Sequence, residues 1–298
     1  MMQAERRPSR YEFGDLNRSL LKDLRIVHLP ETTSTMDLVD GLARSWAKTK
    51  REFIPPVVII ADHQTAGIGR GDLGEEKKWH DIPELSMLFS IFIPKDRIEE
   101  ENLPELSDLV ALRTCMALRK AGGNFLIKAP NDIVDADTGK KVSGLLVRSI
   151  YSDEGEYLGA NVGVGTNVHY RDNQLANFPV EPEYGAISVD SATGQFNSRQ
   201  DLLVDILTGI STVVPEAATI NKGSVHNPTS VHAIQNAEWR RHSYLLNERV
   251  VVREGEQVVA EGTVVDTEIG NGFILRSNDG IEHAVPVFGT DTKVRLAS

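Results

Sequence analysis

Apolar positions fall into runs that switch between a period of two and a period of three to four, so the chain alternates strands and helices. Val57-Val-Ile-Ile-Ala61 is apolar and mostly β-branched, the mark of a strand buried on both faces. Arg25–Leu29, Met87–Ile93 (stopped by Pro94) and Asn124–Lys128 read as further strands. Val142–Ser149 and Tyr157–Val164 read as a hairpin turning at Asp153-Glu-Gly-Glu156. Ser34 suits the N-cap of a helix over Met36–Lys48, with Leu38, Leu42 and Trp46 four apart on one face. A second helix spans Leu106–Ala121 and stops at Gly122-Gly123, and two more cover about 198–213 and 228–246. After Arg249 the pattern becomes five short strands: Val250–Val252, Val258–Ala260, Thr263–Val265, Phe273–Leu275 and Lys293–Leu296, with turns such as Gly270-Asn-Gly272 between them. The expectation is an α+β body over residues 25–246, a mixed β-sheet flanked by helices. A loosely held extension (1–24) precedes it and a small β-barrel (247–298) follows.

Composition narrows the function. The 298 residues are 40% hydrophobic and 25% charged, as in ordinary globular proteins. No apolar run approaches the roughly 20 residues that cross a bilayer, and the first 27 residues lack the apolar segment of a secretory signal. A net charge of −11 argues against a general nucleic-acid binder. The single cysteine, Cys115, excludes an intrachain disulfide and sits among apolar residues as a core thiol. Eight scattered histidines show no paired ligand spacing, which argues against structural zinc. A reducing cytoplasm is the expected compartment.

Four motifs carry candidate chemistry. Gln64-Thr-Ala-Gly67-Ile68-Gly69-Arg70-Gly71 follows the strand at 57–61. Its glycines let a ligand approach the main chain, and Arg70 adds a planar fork of donors; the plainer reading is a glycine-rich turn. Lys128-Ala-Pro130-Asn131-Asp132 precedes Lys140-Lys141-Val-Ser-Gly144. A hairpin there places Asp132 opposite Lys141, as a solvated ion pair or as a lysine aimed at a carboxylate or acyl phosphate. Val162-Gly163-Val-Gly165-Thr-Asn167 puts alternate glycines inside a strand, which weakens it unless another group comes close. Glu31-Thr-Thr-Ser34-Thr35-Met36 lies at a strand-to-helix junction, where the hydroxyls either cap the helix or donate to a ligand carbonyl.

The order of these motifs, closed by a small β domain, resembles the biotin–protein ligases of the biotin/lipoate ligase superfamily. The resemblance covers about residues 25–298. It implies a fold like that of class II aminoacyl-tRNA synthetases with a C-terminal SH3-like barrel. It also implies ATP-dependent formation of biotinyl-5'-AMP with Mg²⁺, then transfer to a lysine of a biotin carboxyl carrier domain. On that resemblance Ser34, Thr35, Met36 and Gln64 meet the biotin ring, and Gly67, Ile68, Gly69 and Arg70 close over biotin and the adenylate. Lys141, oriented by Asp132, meets the carboxylate. Gly144 and Gly163 admit the biotin chain, and Trp79, Asn131 and Asn167 face the adenylate. Lipoate or octanoate chemistry, or a non-catalytic biotin binder, are the alternatives; the former lacks its usual Arg-Arg-x-Ser-Gly-Gly-Gly-like loop here.

The sequence also departs from the family pattern. Ile68 replaces a basic residue, Ala129 a tryptophan and Met36 an asparagine, and acidic residues follow Gly71. Lys77 and Lys78 are the candidates to replace the missing charge. About 24 residues precede the body, too few for a DNA-binding helix-turn-helix. No DNA or membrane partner is therefore expected, and dimerisation through a sheet edge is compatible with the fold.

Overall fold

The structure is a computed structural model, and it describes residues 24–49, 56–72, 75–175, 185–217, 231–254, 257–286 and 292–297. The expected extension over 1–24, apart from Leu24, lies outside them, as do residues 228–230 of the last expected helix. In chain order the first elements are β1 (Arg25–Leu29), α1 (Thr35–Lys48), β2 (Val57–Ala61), β3 (Gly67–Asp72), β4 (Glu75–Trp79) and β5 (Ser86–Pro94). Then come α2 (Leu103–Lys120), β6 (Phe125–Lys128), β7 (Asp132–Asp135), β8 (Lys141–Tyr151) and β9 (Tyr157–Asn167). Four helices follow: α3 (Asp172–Leu175), α4 (Val189–Thr193), α5 (Arg199–Ala217) and α6 (Val231–His242). The last strands are β10 (Arg249–Glu254), β11 (Gln257–Glu268), β12 (Gly272–Arg276), β13 (Glu282–Val285) and β14 (Thr292–Leu296). No helix among the described residues is long and apolar enough to cross a membrane.

Seven strands form one mixed sheet in the order β1-β2-β5-β9-β8-β7-β6, with β1–β2 parallel and the other pairs antiparallel. The fully apolar β2 serves both faces, because successive strand residues point opposite ways. Val58 and Ile60 join the main core with Leu106 and Leu109 of α2 and Leu203 and Ile206 of α5. Val57 and Ile59 join a second cluster with Phe92 and with Val39 and Ala43 of α1. The sheet is thus covered by α2 and α5 on one face and by α1 on the other.

The expected face of α1 packs against this second cluster, but its centre lies to one side of the expected residues. Met36, Val39 and Ala43 are buried, whereas Leu38, Leu42 and Trp46 are only partly so. Small residues face the centre of the sheet, and the larger ones pack along its flank. Cys115 is buried with its thiol near the Phe125 carbonyl, and burial pushes its pKa up to about 12. It is a core residue, as its apolar surroundings predicted.

The C-terminal strands form a separate five-stranded antiparallel sheet, ordered β13-β12-β11-β10-β14. Its core of Val250, Val252, Val264, Phe273, Leu275 and Val294 also takes in Leu245 and Ala129. The alanine at the position of the family tryptophan therefore packs into the C-terminal core. Two expected strands, 258–260 and 263–265, merge into β11, and β13 was not foreseen. The last body helix ends at His242, four residues earlier than expected. β13 and β14 are opposite edges of this sheet, and no ladder of described residues joins them.

The turn between β11 and β12 anchors this sheet to the body. Gly270, at φ +79°, donates its N–H to Asp108 Oδ2 of α2 at 2.8 Å. Ile269 N–H donates to Asn236 Oδ1 at 2.9 Å, and Trp239 Nε1 donates to Thr267 Oγ1 at 2.9 Å. Burial pushes the Asp108 carboxyl up from 3.8 to about 7, and the nearby Glu105 charge adds to the rise. The folded protein therefore keeps a proton that the unfolded chain releases as pH rises from about 4 to about 7, and stability is lost across that window. Asp108→Asn keeps an acceptor for Gly270 and removes the titration. Its urea midpoint relative to wild type is expected to rise between about pH 4 and about pH 8. A constant difference over that range would contradict the assignment.

Candidate active site

Strand parity builds the floor of a cleft on the α1 side of the sheet. In β9, Ala160, Val162 and Val164 point into the main core. Asn161, Gly163 and Gly165 must then face the other way. Gly163 stands opposite Ser90 of β5 and Leu146 of β8, while Gly165 stands opposite Leu88 and Gly144. Gly144 in turn stands opposite Asp132, which stands opposite Lys128. Three glycines thus sit in two neighbouring rows across the sheet, Gly163 in one and Gly165 and Gly144 in the next. The space above is bounded by α1 and the β3–β4 hairpin and opens to solvent.

One end of the cleft is a buried polar network. Residues 63–66 run beside the α1 entry: Thr32 N–H donates to His63 O, Thr65 N–H to Thr32 O, and Ala66 N–H to Thr33 O. Gln64 is thereby set against Thr35. Its Oε1 accepts from Thr35 N at 2.7 Å and from Thr35 Oγ1 at 3.0 Å, and Thr35 Oγ1 lies 2.7 Å from Ser90 Oγ. With Oε1 occupied twice, the amide NH₂ is what Gln64 can offer to an acceptor in the cleft. Ser34 lines the same end and caps α1, its Oγ accepting from Met36 N at 3.2 Å.

The other end is cationic. Lys141 Nζ lies 2.6 Å from Asp132 Oδ1 and 5.6 Å from the centre of the Trp79 ring. The two do not face each other across the hairpin as expected. Lys141 pairs with Val134 beside a register shift, and its side chain reaches back to Asp132. Asn131 is held by Nδ2 donating to Leu145 O at 2.9 Å and by its own carbonyl accepting from Leu145 N at 2.8 Å.

The expected glycine loop is itself a two-stranded hairpin, with Gly67 opposite Trp79, Ile68 opposite Lys78 and Gly69 opposite Lys77. Glycines there permit close pairing: a Cβ on Gly67 would lie 2.6 Å from Trp79 O. Trp79 turns inward, so that a Cβ on Gly165 would lie 2.7 Å from its ring. Lys78 is exposed and stands directly opposite Ile68, on the same face of the hairpin. The space over the glycines is also not empty. Met36 Sδ sits 2.7 Å from a Cβ built on Gly163, and Lys141 and Trp79 crowd Gly144 at 3.0 Å.

Of the residues expected at the site, Ser34, Thr35, Met36, Gln64, Ile68 and Gly69 line the cleft, and so do Arg70, Trp79, Asn131, Lys141, Gly144 and Gly163. Three do not. Gly67 supports the hairpin, Asp132 is ion-paired to Lys141, and Asn167 is buried with Nδ2 3.5 Å from Ile187 O. Phe89, Ser90, Leu146 and Gly165 line the cleft and were not assigned there from sequence. Ser90 carried a signal, as the polar residue inside the apolar run Met87–Ile93. Among the described residues no three His, Cys, Asp or Glu side chains gather as a metal site.

Comparison with solved structures gives the same architecture. The biotin protein ligase of Aquifex aeolicus, in complex with biotin and ATP, superposes with a TM-score of 0.68 at 22% identity, covering 92% of this chain and 99% of that one. The biotin protein ligase of Leishmania major in complex with biotin gives a TM-score of 0.51 at 19% identity, covering 88% and 98%. A biotin protein ligase-like protein of unknown function from Silicibacter sp. gives 0.58 at 10% identity, covering 89% and 94%. A sequence comparison with curated proteins gives no match. Residues 30–167, which hold every cleft-lining residue, match the model of the biotin/lipoate A/B protein ligase family. The chain thus shares the fold of biotin protein ligases, and residues 30–167 of it are similar to the biotin/lipoate A/B protein ligase family.

Proposed function

We propose that the protein is a biotin–protein ligase. The observation that carries this reading is the polarity of one cleft. A neutral hydrogen-bonding end (Gln64, Thr35, Ser90) and a cationic end (Lys141, Arg70) are joined by an apolar, glycine-floored passage. Biotin has the matching layout: a neutral ureido ring, an apolar chain and a carboxylate. The Gln64 amide NH₂ is placed to donate to the ureido carbonyl.

In the first step a carboxylate oxygen of biotin attacks the α-phosphate of ATP. The bond to pyrophosphate breaks, leaving the mixed anhydride biotinyl-5'-AMP. Lys141 sits where negative charge gathers, and Asp132 fixes its ammonium without filling the passage. In the second step the neutral amine of a carrier-domain lysine attacks the acyl carbon. AMP leaves with the bonding electrons and the amine loses its proton. Holding the reacting groups together and stabilising charge with preset cations supplies most of the rate. Mg²⁺ bound to the ATP phosphates would offset their charge, with water and phosphate oxygens supplying most of its ligands. The inward-turned hairpin covers the passage and would shield the anhydride from water.

Exchange of labelled pyrophosphate into ATP tests this reading, with biotin, lipoate or octanoate as the acid. Exchange with biotin alone is expected. Exchange with lipoate or octanoate would move the activity to the other branch of the family, and none with any acid would remove the ligase reading. Lys141→Ala should lower biotin-dependent exchange by about 10²–10³-fold with thermal unfolding close to wild type; unchanged exchange would remove Lys141 from the mechanism. Arg70→Gly should shorten the lifetime of bound biotinyl-5'-AMP by about tenfold, the loss of roughly one charged hydrogen bond. A lifetime equal to wild type would show that Arg70 does not hold the intermediate.

A further inference from the structure

The β3–β4 hairpin enters from His63-Gln64 and leaves into Asp81, and a single carboxylate ties the two ends together. Asp81 Oδ2 accepts from His63 Nδ1 at 2.8 Å, and Oδ1 accepts from Gln64 N at 3.2 Å. The Asp81 side chain is fully buried, while His63 is 23% exposed. Burial raises the Asp81 carboxyl above the usual carboxylate range, and the His63 contact opposes that rise, so the imidazole helps keep the carboxylate charged. Neighbouring atoms fix both sides of the tie. His63 O accepts from Thr32 N, and Ile82 N donates to Tyr170 Oη, itself 2.8 Å from Ser86 Oγ.

Gln64 is consequently held twice. Asp81 holds its backbone, and Thr35 holds its side-chain Oε1. Two residues before Asp81 stands Trp79, turned down over Gly144 and Gly165. Only His80 separates Trp79 from Asp81, so the hairpin end that carries the ring also carries the carboxylate. We propose that Asp81 is a positioning residue that couples closure of the β3–β4 hairpin over the cationic end to the orientation of Gln64 at the ring-binding end. The inference rests on the reading of the cleft as the biotin site. It adds that the hairpin and the ring-binding network act as one unit, although they meet the ligand at opposite ends.

The test uses the full chain, with biotin and ATP affinities measured separately by equilibrium dialysis in wild type, Asp81→Ala, Asp81→Asn, Gln64→Ala and the Asp81→Ala/Gln64→Ala double variant. Asp81→Ala should weaken biotin binding about tenfold and ATP binding by a smaller factor, because the loosened hairpin also carries the cleft-lining Arg70 and Trp79. Asp81→Asn still accepts from Gln64 N and can donate to a neutral His63, so it should restore most of the biotin affinity. If Asp81 acts through Gln64, the double variant binds biotin no more weakly than Gln64→Ala alone. Losses that multiply, or an Asp81→Ala protein with wild-type biotin affinity, would overturn the proposal. Hydrogen exchange at the amides of residues 67–72 reads the tie without any ligand, and Asp81→Ala should speed it. Unchanged exchange would overturn the coupling. Wild-type protein that binds no biotin would instead overturn the functional reading, whatever the exchange shows.

Discussion

Everything at the site depends on β8 and β9 serving two faces with opposite demands. Alternate residues of β9 must be apolar to bind the sheet to α2 and α5. The residues between them must be small or polar to leave a passage under α1. Ala160, Val162 and Val164 meet the first demand, and Asn161, Gly163 and Gly165 the second. Each interior glycine costs roughly 0.5–1 kcal/mol relative to alanine. The three in adjacent rows are required by the side chains laid over them: a Cβ on Gly163 would meet Met36, one on Gly165 would meet Trp79, and one on Gly144 would meet both Lys141 and Trp79.

Energetics separate the two ends of the cleft. Lys141 and Asp132 are each about one quarter exposed, so their ion pair adds at most about 1 kcal/mol to stability. Its value lies in where it puts an ammonium. The Gln64–Thr35–Ser90 network is buried, and removing one member leaves another unsatisfied at about 1–3 kcal/mol. That end is therefore rigid before any ligand arrives, and a rigid set of donors suits recognition of a neutral ring.

Strands and helices were legible where one residue type answered to one environment. The uninterrupted β2 run and the glycine stop after α2 are examples. The centre of the α1 face was not, because periodicity marks the large apolar residues, while the sheet accepts the small ones, Val39 and Ala43. The glycine-rich loop did not read as strands because glycine carries no β signal, and the pairing of Gly67–Gly69 with Lys77–Trp79 comes from the partner strand. The order of motifs sufficed to gather most of the cleft. Asp81 stayed hidden because its role arises only from the closing of a loop, which leaves no local pattern, whereas Ser90 left one trace, a polar residue inside an apolar run.

The account stands on one cleft that binds a single acid in one direction. A crystal structure of the protein with biotin bound tests this most directly. The ureido ring should lie against Gln64, Thr35 and Ser90. The chain should pass over Gly163 and Gly165, and the carboxylate should sit within about 3.2 Å of Lys141 Nζ. Biotin in the reverse direction, or outside the space between α1 and the β3–β4 hairpin, would contradict it.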